Sequence, residues 1–309
     1  MKKKIAYFSI ALFPILLAAS FGLKNISSSE GQNSATASVV NESFSFVVIG
    51  DTEREKDSNG FSNDALSVFN KARELQPDLV FFTGDIITIS YVSLSEGYRR
   101  IKNIKHVIDS YFGQIPYYFT LGHHDVDCGP RCAAYWSQIF FNKTPEEAMG
   151  DKLYASFDHN NTHFVLLSNE YPLKHSLEQE QLNWLDQDLA ATDKRYKIVL
   201  MHVPPVTFFG KSANNCHDMS CSEPARSQLI SILQKHSVDL VISGHEHLFD
   251  HKIENGIHYV LSGNASGSDP RYKNTLAGKN FLQVLVTNYG ITLRAITDTG
   301  EVIKEIKIK

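Results

Sequence analysis

The sequence predicts an α/β protein with mixed β-sheets, and two observations carry that prediction. Between Phe44 and Ser243 extended apolar runs alternate with helix-period segments, while beyond His247 short strands and tight turns take over. Five of the apolar runs also end in short polar clusters rich in Asp and His, at the strand ends where open α/β sheets place their ligands. No internal repeat and no second linker interrupts the pattern, so residues 44–309 are expected to form one domain.

The first strand is Phe44–Ile49. After a polar loop with Asn59-Gly60, a helix is expected over 63–75, with Ala65, Leu66, Phe69 and Ala72 on one face and Pro77 as its stop. A second strand starts at Asp78. A second helix, over 94–111, presents Ile101, Ile104, Val107 and Ile108 before Pro116 opens a third strand. Another helix covers 131–141. Strands 153–157 and 163–167 are joined by the turn Asp158-His159-Asn160-Asn161. Ser176-Leu177-Glu178-Gln179 has capping-box spacing for a helix running to Ala191, with Leu182, Trp184, Leu185 and Leu189 inward. A helix over 224–236 precedes the strand 238–243. The turn signals Glu254-Asn255-Gly256, Asn288-Tyr289-Gly290 and Asp298-Thr299-Gly300 predict hairpins at the end.

With 309 residues, 42% hydrophobic and 21% charged, the chain has the composition of a globular protein with a sizeable core. Its formal charge of −4 becomes about −7 without the first twenty residues, which argues against a nucleic-acid backbone as the main partner. Small phosphate esters stay open, because a bound metal ion would reverse the local charge. Residues 1–23 have the shape of an export signal: Lys2-Lys3-Lys4, an apolar stretch, then Ala18-Ala19-Ser20 with cleavage after Ser20. The stretch is nearly long enough to span a bilayer, so an uncleaved N-terminal anchor is the alternative, and the only membrane contact expected. Residues 24–43, rich in Ser, Asn and Gly, form a flexible linker. The expected location is periplasmic or extracellular. The four cysteines agree, since Cys128 with Cys132 and Cys216 with Cys221 form local pairs poorly spaced for zinc and suited to two disulfides. All three connectivities are open.

The clusters that end the strand runs are Gly50-Asp51-Thr52-Glu53, Gly84-Asp85, Gly122-His123-His124-Asp125, Met201-His202 and Gly244-His245-Glu246-His247. Carboxylates and imidazoles brought together at strand ends suit divalent metal ions. In this order the clusters resemble the calcineurin-like metallophosphoesterases, whose pattern is Asp-x-His, Gly-Asp, Gly-Asn-His-Asp, a lone His and Gly-His-x-His. The approaches Pro77-Asp78-Leu79-Val80-Phe81-Phe82-Thr83 and Val199-Leu200-Met201-His202-Val203-Pro204-Pro205 resemble it too. The resemblance covers 44–309. It implies a four-layer α/β/β/α sandwich with two mixed β-sheets. It also implies hydrolysis of phosphate mono- or diesters by a hydroxide held on two metal ions.

By the same resemblance, Asp51 and His247 would hold the first ion, Asp85 would bridge, and His202 and His245 would hold the second. His124 would be the proton donor, oriented by Asp125. Two positions depart from the family: Glu53 stands where it has His, and His123 where it has Asn. Both remain metal donors, but Glu53 adds negative charge and favours a harder or higher-valent ion at the first position. The expected cofactor is therefore a pair of divalent or mixed-valence ions, Fe, Mn or Zn. Arg131 and His217 are weaker candidates for substrate contact, each on a loop beyond a strand end. Glu246 is expected at the surface, and His163 and His175 are expected to be ordinary core or surface residues. The rival readings are a related binding protein with weakened catalysis, or a hydrolase using a single metal ion.

Overall fold

Strand β1 (Phe44–Ile49) sets the logic of the architecture, because both of its faces are apolar. In the computed structural model Phe46 and Val48 pack into one core while Val47 and Ile49 pack into another, as alternate side chains of a strand must. The described residues are 43–53, 60–90, 92–149, 151–208, 218–263, 265–266 and 279–309, within a unit spanning Glu42–Lys309. The export segment, the linker up to Glu42, Cys216 and His217 lie outside them.

β1 lies parallel to β2 (Leu79–Thr83), which lies parallel to β3 (Tyr117–Thr120). On the other side of β1 three antiparallel strands follow, β10 (Asn280–Thr287), β11 (Gly290–Thr297) and β12 (Val302–Lys307), giving the order β12-β11-β10-β1-β2-β3. The second sheet runs β4-β5-β6-β7-β9-β8, from β4 (Ala155–His159), β5 (Thr162–Leu166), β6 (Tyr196–Met201), β7 (Leu240–Ser243), β8 (Phe249–Glu254) and β9 (Ile257–Ser262). Its four central strands are parallel and its two outer strands antiparallel. Parallel strands covered on both faces account for the near-continuous apolar runs.

Three cores define four layers. Helices α1 (Asn63–Glu74), α2 (Leu94–Phe112) and α4 (Pro130–Phe141) cover the outer face of the first sheet through Phe69, Ile104, Ile108 and Trp136. Between the sheets, Phe46, Phe81 and Phe164 stack edge and face within 5.0–5.3 Å of one another. Helices α6 (Gln179–Ala191) and α7 (Ala225–Lys235) cover the second sheet through Leu182, Leu185, Leu229 and Leu233. This is the α/β/β/α sandwich with two mixed sheets.

The local signals mostly act as their chemistry dictates. Ser62 and Ser93 cap α1 and α2 by accepting N–H groups of Ala65 and Glu96 at 3.1 and 3.2 Å. Asn255 and Gly256 take φ of 52° and 80° to turn β8 into β9. The capping box at Ser176 does not form. Its backbone N–H donates to Asn169 O at 3.0 Å, which ties Ser176 to the preceding loop, and α6 begins three residues later. The turn between β4 and β5 is tighter than expected, Asn160 and Asn161 alone. Two short helices were not anticipated, α3 (His123–Val126) and α5 (Pro145–Ala148). Among the described residues no helix is long and apolar enough to cross a membrane.

Candidate metal centre

The parallel strands of both sheets deliver their polar ends to one place. Asp51 follows β1, Asp85 follows β2, and His123 opens α3 just after β3, while His202 directly follows β6 and His245 and His247 follow β7. Four of these residues hold left-handed backbone angles unusual for a side chain: φ is 50° at Asp51, 46° at Asp85, 74° at His245 and 50° at His247. Such strain at four residues after three strands, β1, β2 and β7, is maintained only by dense surrounding contacts, and it points to a functional site. Gly122 shows the crowding, because a Cβ there would overlap the Asp85 carboxylate.

The side chains form two donor groups that share Asp85. One comprises Asp85, His123, His202 and His245, the other Asp51, Glu53, Asp85 and His247, with the donor atoms of each group within 4.8 Å of one another. In the second group His247 Nε2 lies 3.5 Å from Asp51 and 3.1 Å from Glu53, whose side chain is only 9% exposed. In the other, Asp85 Oδ2 lies 3.1 Å from His123 Nδ1 and 3.2 Å from His202 Nε2. The two departures from the family pattern, Glu53 and His123, are thus gathered with the rest.

Supporting contacts orient these donors. His202 Nδ1–H donates to Thr83 O at 2.8 Å, which turns Nε2 toward Asp85. The His245 N–H donates to both Asp51 oxygens at 2.9 and 3.0 Å, joining the end of β7 to the end of β1. Asp85 Oδ1 accepts the His124 N–H at 2.9 Å.

Burial and neighbouring charges shift the ionisation of these donors in opposite directions. Burial pushes the Asp51 carboxyl up to about 8. Burial also works against Asp85, yet the neighbouring His202 outweighs it and holds that carboxyl well below its usual range. Burial lowers His123 to about 4, whereas for His247 burial is outweighed by Glu53 and Asp51, which raise it to about 10. Glu53 Oε2 is buried without a hydrogen-bond partner, and Asp85 Oδ2 and His123 Nδ1, though 3.1 Å apart, are buried without an aligned hydrogen bond. Carboxylate oxygens and imidazole nitrogens left this way suit first-row divalent ions, so the residues fit a dinuclear metal centre.

The expected His124–Asp125 pair is corrected. Asp125 is wholly buried and spends both oxygens on backbone: Oδ1 accepts from Ile86 and Ile87 N–H, and Oδ2 from Gly122 N–H, all at 2.9 Å. Its oxygens face these backbone groups, and the contacts of the His124 ring lie elsewhere. His124 Nδ1 faces Ser90 Oγ at 3.5 Å and Asp127 Oδ2 at 3.9 Å instead, and Ser90 in turn bonds Asp127. Arg131 is exposed on the first turn of α4, and no contact joins it to the donor groups. Cys128 and Cys132 form a disulfide with Cα atoms 5.6 Å apart. Cys221 is also disulfide-bonded, and its expected partner Cys216 lies outside the described residues, as does His217. Glu246 is 7% exposed rather than at the surface.

Sequence reasoning passed over Ser90, Asp127, Glu170 and His175. Glu170 ends the run Phe164-Val165-Leu166-Leu167, which is the same apolar-run-then-polar-cluster signal as the five motifs. His175 brings its ring within 5.1 Å of His245.

Several comparisons bear on this geometry. A phosphoenolpyruvate phosphatase of Allium cepa is 27% identical over 233 residues, covering 72% of this chain and 45% of that protein. The chain thus spans less than half the length of this curated relative. Among solved structures, a purple acid phosphatase from yellow lupin seeds superposes with a TM-score of 0.62 at 20% identity, covering 86% of this chain and 54% of that one. The anchor in the inner membrane complex of Plasmodium gives 0.59 at 16% identity, covering 86% and 89%. A phosphatase and an anchor share this fold, so these two likenesses establish architecture alone. The model of the calcineurin-like phosphoesterases matches residues 44–249, most of the described unit, and the chain belongs to that family.

Proposed function

We propose that this protein is an exported hydrolase of phosphate esters that works with two metal ions. The observation that carries the reading is the pair of donor groups joined by one shared carboxylate, Asp85. Two divalent ions held there would supply Lewis-acid activation of a phosphate ester and of water. The chain's own residues do the rest. Asp51, Glu53 and His247 hold one side, His123, His202 and His245 hold the other, and Asp85 serves both. Thr83 and the His245 amide fix the orientation of His202 and Asp51. His124, partly exposed beside the shared carboxylate, gives a proton to the departing alcohol, with Ser90 and Asp127 steadying its ring. The Cys128–Cys132 disulfide supports an oxidising compartment.

The donor group of Asp51, Glu53, Asp85 and His247 carries three carboxylates and one imidazole, so iron or manganese is favoured there over zinc. Metal analysis of protein purified without added metal tests this, and zinc alone at both positions would overturn it. For the activity, a chromogenic phosphomonoester and phosphodiester are assayed with and without chelator, alongside Asp85→Asn and His245→Ala. Chelation should abolish turnover, and each substitution should reduce it by on the order of 100-fold or more. Turnover that survives either treatment would overturn the proposal.

A further inference from the structure

Beside the donor group of His123, His202 and His245 stands a residue pair that none of the ligand roles uses. Glu170, on the loop after β5, has a wholly buried side chain, with Oε1 3.4 Å from His175 Nε2 and accepting the His175 backbone N–H at 3.2 Å. Its other oxygen, Oε2, has no hydrogen-bond partner. The His175 carbonyl accepts Ser222 Oγ at 2.5 Å, and the residue sits at φ 52°. With both backbone groups bonded at this left-handed angle, the position of the His175 ring is fixed. Its ring is 25% exposed and stands 5.1 Å from the His245 ring and 6.3 Å from that of His123, each edge to face. The neighbouring Lys174 reaches Asp127 at 3.3 Å, and Asp127 is the carboxylate beside His124. Through Lys174 the loop thus contacts the carboxylate beside His124.

We propose that His175 is a substrate-contacting residue that hydrogen-bonds an oxygen of the phosphate group, and that Glu170 is its positioning residue. The proposal rests on the phosphoesterase reading above and names part of its substrate site. An imidazole at the open margin of the donor group is where a phosphate oxygen shared with a metal ion would emerge.

The test uses metal-loaded full-length protein, with hydrolysis of a chromogenic ester, inhibition by inorganic phosphate, and calorimetric binding of phosphate. His175→Ala should raise KM and weaken phosphate binding about tenfold, the worth of one hydrogen bond to a charged group, with kcat changed far less and metal content unchanged. His175→Gln, which keeps a donor, should recover part of the loss. Glu170→Gln should weaken phosphate binding by about threefold in the wild-type background and not at all beside His175→Ala, since a positioning residue acts through its partner. Unaltered KM and phosphate binding in His175→Ala would overturn the proposal, as would loss of metal or a fall in kcat alone. Wild-type protein that binds metal and phosphate yet hydrolyses no ester would overturn the phosphoesterase reading instead, leaving the phosphate arm to judge His175.

Discussion

Asp125 and His124 are adjacent in sequence and do different work, because a helix turn sends their side chains apart. Asp125 closes α3 back onto the loop after β2 by accepting three backbone N–H groups. Asn in its place can satisfy Ile86 and Ile87 with its oxygen but then points an NH2 group at the Gly122 N–H. Asp125→Asn should therefore cost about 2–3 kcal/mol of stability, read by urea denaturation, and should weaken metal retention because Gly122 backs Asp85. A neutral effect on stability would contradict the assigned contacts. His124 should behave otherwise. His124→Ala should leave stability and metal content near wild type while slowing esters of poor leaving groups more than esters of good ones. Equal slowing across a leaving-group series would remove it as the proton donor.

At the level of elements, the site depends on how each strand ends. Gly122 leaves no room for a side chain between the end of β3 and the Asp85 carboxylate. Gly122→Ala should displace Asp85 and lower bound metal from two ions toward one or none, measured by elemental analysis, while the helix layers remain folded. The strands themselves could be read from sequence because runs buried on both faces are apolar throughout, and the five polar clusters stood out as interruptions of them. Glu170 was overlooked although it ends such a run, because a lone Asn-Glu carries no motif spacing. The partner of His124 was misassigned because adjacency in sequence says nothing about direction once a short helix intervenes. His163 is a core residue, as expected, and it links three elements: on β5, it bonds Asp158 of β4 at 2.7 Å and Asp188 of α6 at 2.9 Å. Burial lowers its pKa, but the two carboxylates outweigh that and raise it. A raised imidazole stabilises the fold fully below the unfolded value and loses that contribution as pH rises through the folded one. The stability gap between wild type and His163→Gln should thus be widest near pH 6, on the order of 1 kcal/mol given the partial exposure of Asp158, and should shrink by pH 9. A gap that widens with pH would contradict the assignment.

On the scale of the whole molecule, the donor groups take their members from both sheets. Asp51, Asp85 and His123 come from the sheet covered by α1, α2 and α4, whereas His202, His245 and His247 come from the sheet covered by α6 and α7. Between the two lies an apolar core centred on Phe46, Phe81 and Phe164. Metal ions bound across this seam would be cross-links between sheets, and binding only to the folded state adds about 2.7 kcal/mol at a free concentration one hundred times Kd. The sequence supplies its own reporters, since its two tryptophans fall one in each outer helical layer: Trp136 in the core under α4 and Trp184 against the core under α6. Single-tryptophan variants, Trp136→Phe and Trp184→Phe, would each report one layer by fluorescence during urea unfolding. If the ions tie the sheets together, adding metal should move both midpoints upward by the same amount, and chelator should return both. Asp85→Asn, lacking the shared carboxylate, should abolish the shift for both reporters. A shift seen by one tryptophan alone would mean that metal stabilises one sheet and its helices, and the cross-sheet assignment of the donor groups would fail.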